Sequence, residues 1–290
     1  MAAALHRDHG WMPNHDFIRK GVHVLVPLLS LLAAPGRVAA ATQPHGTVKL
    51  IAEQTSVQPA RPFWVGLYFQ LEKGWHIYWT NPGDSGEPPR VRWTLPAGFQ
   101  AGPLQWPVPR RIEDHSLIDY GYPNEVLLPV EISPPASWAG GADVQLSATV
   151  NWLVCREICV PGRAALELTL PIRRGTAGLP SPLHSLFAQA RADLPRPTPK
   201  SWKVTANLDK HRFILTVDTG KREAEATFFP LEANQIENDA PQKGMSISRG
   251  IQLEIQKSDQ LLKAPAYLAG VLVFARGQGF VIEAPVATSN

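Results

Sequence analysis

Between residues 46 and 171 the chain never sustains an apolar pattern at helical spacing for three turns. Instead, short apolar or aromatic runs alternate with turn residues, and this punctuation restricts the region to strands. Residues 64–72 (WVGLYFQLE) place Val65, Leu67, Phe69 and Leu71 on one face. Residues 75–79 (WHIYW) set Trp75, Ile77 and Trp79 against His76 and Tyr78. The runs at 126–132, 144–153 and 164–170 continue the rhythm, while 82–89 (PGDSGEPP) reads as loop. Strands of this kind pack as a β-sandwich, with Trp79 and Trp152 at alternating positions that favour the core.

Composition shifts after residue 174. Pro180, Pro182, Pro195, Pro197 and Pro199 bracket residues 183–194 (LHSLFAQARADL), where Leu183, Leu186, Phe187 and Ala190 recur at helical spacing. Residues 175–200 therefore read as a short helix in a Pro-rich linker. Strand-like pieces resume at 204–208, 213–218, 224–230, 251–256, 269–275 and 280–285, which makes 201–290 a second β-sandwich domain. The expected fold class is all-β: two sandwiches, 42–174 and 201–290, joined by that helix. The second contains no cysteine and no cluster of ligand-type residues.

Residues 1–41 have a different character. Arg19 and Lys20 precede an apolar run at 22–34, followed by Ala39, Ala40 and Ala41, the order of a secretory signal peptide with cleavage near Thr42. The run is shorter than the about 20 residues that span a bilayer, so an anchor is the weaker reading. The later run at 267–280 is broken by Gly270, Arg276 and Gly277. The expected product is soluble and exported to the periplasm, where disulfides persist. The 28 Lys and Arg against 25 Asp and Glu, without a basic cluster, argue against a nucleic-acid partner.

Cys155 and Cys159 are the chain's only cysteines, in NWLVCREICVPG (151–162), where a strand meets what reads as a Pro-Gly turn. Three intervening residues permit a disulfide if a turn brings the Cα atoms together. A ring so small yields only about 2 kcal/mol, against almost 5 for a hundred-residue loop, so it is a poor staple for a domain. Redox exchange gains weight from that weakness, with a structural staple and a copper or zinc site as alternatives. His45, His76 and His115 have no spacing that ties them to the cysteines as metal ligands. Arg156 and Glu157 act oppositely on a neighbouring thiol. The Gly83-Asp84-Ser85-Gly86 run mimics a serine-protease loop but lacks its context, and reads as a turn with an Asx-type bond from Asp84.

Taken together, GWHIYWTNPGDSGEPP (74–89), WTLPAG (93–98), WPVPRR (106–111), DYGYPNEVLLPV (119–130) and NWLVCREICVPG resemble the periplasmic N-terminal domain of the protein-disulfide reductase DsbD, in particular its ScsB-like branch. The resemblance covers about residues 46–172, and the second half, ending GFVIEAPV, looks like the second β domain of longer ScsB-like proteins. It implies an immunoglobulin-like sandwich in which Cys155 and Cys159 exchange disulfides, Cys159 forming the mixed disulfide and Cys155 resolving it. It further implies that Asp119, Tyr120 and Gly121 form a cap loop with the Tyr120 ring over the sulfurs, and that Tyr78, Trp152 and Pro161 line the site. The implied partners are periplasmic thioredoxin-like oxidoreductases and a separate membrane-embedded reductase, with no cofactor, metal or small-molecule substrate. The better-known DsbD domain has five residues between its cysteines, and this chain has three. A non-catalytic binding or assembly module with a structural disulfide, or a copper-binding protein, is the alternative.

Overall fold

A computed structural model describes residues 40–288 apart from 115–116, 139–140, 142 and 174–177. Most of the expected leader, 1–39, lies outside the described residues. The first half contains β1 (Ala40–Gln43), β2 (Gly46–Ala52), β3 (Phe63–Leu71), β4 (His76–Gly83), β5 (Arg90–Thr94) and β6 (Gln100–Ala101). It continues with β7 (Arg110–Asp114), β8 (Leu117–Pro123), β9 (Glu125–Ser133), β10 (Asp143–Cys155) and β11 (Cys159–Pro171). A five-stranded sheet, β1-β2-β3-β9-β6, faces a six-stranded one, β11-β10-β4-β8-β7, with β5 also on β10. Val65, Leu67 and Phe69 meet Ile77, Trp79, Leu146 and Val150 in the core between them. The alternation in the sequence is thus the alternation of the fold.

Helix α1 (His184–Ala192) follows, docked on the outside of the first sheet. Phe187 and Ala190 bury against Ile51 and Leu127. Arg191 donates to both carboxylate oxygens of the buried Glu53, at 2.9 and 2.5 Å, and the His184 ring lies 3.0 Å from the same group. The connecting segment is therefore fastened to the first sandwich.

The second half comprises β12 (Arg196–Pro197), β13 (Lys203–Leu208), β14 (Arg212–Asp218), β15 (Ala226–Pro230), β16 (Lys243–Ile247), β17 (Gly250–Gln256), β18 (Tyr267–Phe274) and β19 (Gly279–Thr288). Its strands form one eight-stranded sheet, seven of them in the path β15-β18-β19-β13-β14-β17-β16 and the eighth, β12, on β19. Strand β19 pairs with β18 through residues 279–285 and with β13 through Val286, Ala287 and Thr288, and so passes from one layer to the other. Phe213, Leu215 and Val217 of β14 face Phe228, Leu272 and Ile282 of the other layer. The second half also reaches into the first: Phe229 and Val271 are buried members of the first core. Phe229 packs edge-on against Trp79 and Tyr120, with ring centroids 6.4 and 5.2 Å away.

Three local expectations are corrected. Strand β4 continues through Pro82 and Gly83 beyond an irregularity, because Gly83 still pairs with Asp119. The Asx-type bond of that turn comes from Asn81, whose Oδ1 accepts from Gly83 N–H at 3.1 Å, not from Asp84. Finally, Pro161 and Gly162 form no turn. They lie in β11 opposite Leu153 and Trp152, on an edge strand where a missing proline N–H costs little. A side chain at Gly162 would collide with the Trp152 ring, its Cβ lying 2.3 Å from Cε2.

Candidate redox site at the end of the cysteine hairpin

Strands β10 and β11 stay in register from Asp143 opposite Pro171 to Cys155 opposite Cys159. That last pair is closed by a disulfide, with Cα atoms 4.2 Å apart. Residues 156–158 make the turn, and Arg156 N–H donates to the Ile158 carbonyl at 3.2 Å. Cys155 is buried and pairs also with His76 of β4, whereas Cys159 is exposed. Beside them at the hairpin tip, Ile158 is 65% exposed, a large aliphatic group left in water. Arg156 lies over the Trp75 ring at 5.6 Å and 3.5 Å from Glu157.

The register of WHIYW accounts for what lies beneath the sulfurs. Its odd positions fill the core, so His76 and Tyr78 point the other way, yet both are buried because the hairpin end and the 83–86 turn cover them. The Tyr78 hydroxyl lies 3.5 Å from Cys159 Sγ and 3.1 Å from Ser85 Oγ, and donates to Asp119 Oδ2 at 3.4 Å. Asp119, itself buried, also accepts from Ser85 N–H at 3.1 Å and Ser85 Oγ–H at 3.0 Å. His76 Nε2 sits 3.4 Å from Asp119 Oδ2, within ion-pair range but not aligned as a hydrogen bond. A buried carboxylate needs such donors, and here they hold a phenol against an exposed sulfur. Once the disulfide is reduced, the same hydroxyl is placed to turn its one proton from Asp119 toward the Cys159 sulfur.

The expected cap is corrected. Residues 119–121 belong to strand β8, between β4 and β7, because Tyr120 pairs with Arg111 and Gly121 with Tyr78. Gly121 is required by a close approach, since a Cβ there would lie 2.2 Å from the Ile77 carbonyl oxygen. Tyr120 faces the second sandwich instead of the sulfurs: it is buried against Phe229, and its hydroxyl donates to Asn238 Oδ1 at 2.8 Å. Burial, reinforced by the Asp84 charge, pushes its hydroxyl pKa far above the usual tyrosine range. Trp152 is a core residue edge-on to Phe69, and Pro161 is exposed on the edge strand. Of the expected residues the structure thus gathers Cys155, Cys159, Tyr78 and Asp119, turns Tyr120 to the second sandwich and Trp152 to the core, and keeps Pro161 two positions beyond Cys159 on the same face of β11.

His76, Ser85 and Ile158 were not among the residues expected at the site. Only His76 left a signal, as the partner of Tyr78 on the second face of its strand. Among the described residues, no group of three or more His, Cys, Asp or Glu is placed to hold a metal ion.

A β-sandwich that carries one disulfide at a hairpin end, with one cysteine buried and the other exposed, has the parts a thiol–disulfide interchange module needs. The sequence profile of the family described as "Thiol:disulfide interchange protein DsbD, N-terminal" matches residues 47–171, so this part of the chain is a DsbD N-terminal-like domain with Cys155 and Cys159 as its cysteine pair. The N-terminal periplasmic domain of ScsB from Proteus mirabilis superposes with a TM-score of 0.64 at 18% identity, covering 88% of this chain and 99% of that one. The likeness extends the shared all-β, immunoglobulin-like fold across both sandwiches. A protein of unknown function from Porphyromonas gingivalis W83 aligns over 88% of this chain and all (100%) of its own at 13% identity, but with a TM-score of only 0.23. No curated protein matches the chain. Among the described residues, no helix is long and apolar enough to cross a membrane.

Proposed function

We propose that this protein is a periplasmic thiol–disulfide exchange module that passes electrons between a separate membrane-embedded reductase and thioredoxin-like oxidoreductases through Cys155 and Cys159. The observation that carries this reading is the asymmetry of the pair: Cys159 is exposed beside the Tyr78 hydroxyl and Cys155 is buried. A thiolate of a dithiol partner attacks Cys159 Sγ, the Cys155–Cys159 bond breaks, and Cys155 leaves as a thiolate that takes up a proton. The partner's second thiolate then attacks its own sulfur in the mixed disulfide and releases Cys159. The partner dithiol is oxidised to a disulfide, and the domain gains two electrons and two protons. The same steps in reverse deliver them to an oxidised acceptor.

Trapping in periplasmic extracts tests the assignment. Cys155→Ser leaves the exposed thiol to hold a long-lived mixed disulfide, and Cys159→Ser gives none. Absence of adducts from both variants, together with a reduction potential below about −300 mV, would mark the disulfide as a structural staple and overturn the reading.

A further inference from the structure

The first sandwich holds the cysteines, but the turn beside them is anchored from the second. Asn238 donates through Nδ2 to Asp84 Oδ1 at 2.7 Å and accepts from the Tyr120 hydroxyl through Oδ1 at 2.8 Å. Asp84 in turn accepts from Ile118 N–H with its other oxygen at 2.8 Å, and its own N–H donates to the Ile118 carbonyl at 3.0 Å. The start of the turn is tied to the same stretch of the second sandwich: Asn81 Nδ2 donates to the carbonyls of Pro230 and Glu232 at 2.8 and 3.3 Å. The next two residues reach the redox site directly. Ser85 donates twice to Asp119, and the Gly86 backbone lies against the Tyr78 ring so closely that a Cβ would stand 2.0 Å from its Cζ.

We infer that the second domain positions the redox site, with Asn238 holding the 83–86 turn and, through it, Tyr78 and Asp119, against Cys159. Asn238 is a positioning residue, since it touches neither sulfur. A side-chain amide suits the place because it offers, on one short stem, a donor for the Asp84 carboxylate and a separate acceptor atom for the Tyr120 hydroxyl. Loosening it frees the turn, lets the phenol move from the sulfur, and withdraws a hydrogen bond from the thiolate of Cys159. The inference rests on the exchange reading and gives that site a control from outside its own domain.

The Cys155→Ser chain has Cys159 as its only thiol, so the pH profile of alkylation by iodoacetamide reads that sulfur alone. Around it stand Tyr78 and His76 on β4, Asp119 on β8, and Arg156 and Glu157 in the hairpin turn, all left intact when residue 238 is changed. Adding Asn238→Ala should raise the midpoint by about half a pH unit, and Tyr78→Phe by at least as much. The two together should do no more than Tyr78→Phe alone, because they act through one hydroxyl. Asn238→Asp keeps the shape and the acceptor for Tyr120 but turns donation to Asp84 into repulsion. It should match or exceed the alanine variant, and it serves where the alanine chain does not fold. An unmoved midpoint in both residue 238 variants overturns the inference, as does additivity with Tyr78→Phe. Failure of the exchange reading is seen separately, as a Cys155→Ser chain that traps no partner while the midpoints still shift.

Discussion

Strands β4 and β14 are built by the same alternation and end up with different neighbours. On β14, Phe213, Leu215 and Val217 are buried while the intervening residues stay half-exposed, and the charged groups nearby pair at the surface, Arg212 with Asp209 and Glu254. On β4 both faces are covered: Ile77 and Trp79 by the core, His76 and Tyr78 by the hairpin end and the 83–86 turn. Surface pairs in water contribute little and are replaceable. A polar group taken out of water must be fixed by its neighbours, and so acquires a defined position and a defined target. The capacity for chemistry thus comes from covering the second face of a strand, not from the strand pattern.

The most severe break of this comparison would be to separate the two sandwiches. Phe229 belongs to β15 of the second but is buried in the core of the first, against Trp79 and Tyr120. Phe229→Ala should cost about 3–5 kcal/mol and split a single thermal transition into two. Calorimetry checks this. A single transition displaced by less than about 1 kcal/mol would mean that the halves are held together elsewhere.

How much of this was legible in the sequence follows from which forces are local. The burial of Val65, Leu67 and Phe69, of Trp75, Ile77 and Trp79, and of Phe187 and Ala190 could be read from spacing, since a period of two or of 3.6 fixes which side chains share a face. Strand β8 was not legible. Its Asp119-Tyr120-Gly121-Tyr122-Pro123 run has turn composition and becomes a strand only because β4 and β7 pair with it on either side. Strand β16, KGMSI, carries no alternation and is held by β17 alone. The cysteine pair was visible as chemistry, but the Tyr78, Ser85 and Asp119 cluster joins residues 34 and 41 positions apart, and Asn238 bonds to Asp84 across 154. No local rule reaches that far.

Reducing the disulfide probes the same contrast at smaller cost. The ring it closes is short, so the loop-entropy gain is at most about 2 kcal/mol, and the β10–β11 ladder below it does not need the bond for register. Reduction with a dithiol should leave the far-ultraviolet circular dichroism unchanged and lower the melting temperature by only a few degrees, about the shift such an energy gives a domain of this size. Loss of the β signal would show that the hairpin depends on its bond and would return the cysteines to a structural role.

The smallest expected effect concerns the surface pairs of the second sandwich. Asp218 accepts from Arg249 Nε at 3.0 Å and from Gly220 N–H at 2.9 Å. Arg249 first, and then the backbone donor, hold its carboxyl below the usual aspartate range. A carboxyl whose pKa is lowered by folding stabilises the protein while it is ionised in both states. That contribution is present above the unfolded value of 3.8 and fades as pH falls through the lower folded value. Asp218→Asn should therefore melt slightly below the parent chain at neutral pH, and the gap should close in acid. Because the pair stands in water, added salt should narrow the gap as well. A gap that persists below the titration range, or is insensitive to salt, would show that Asp218 acts through the shape of its turn and not through its charge.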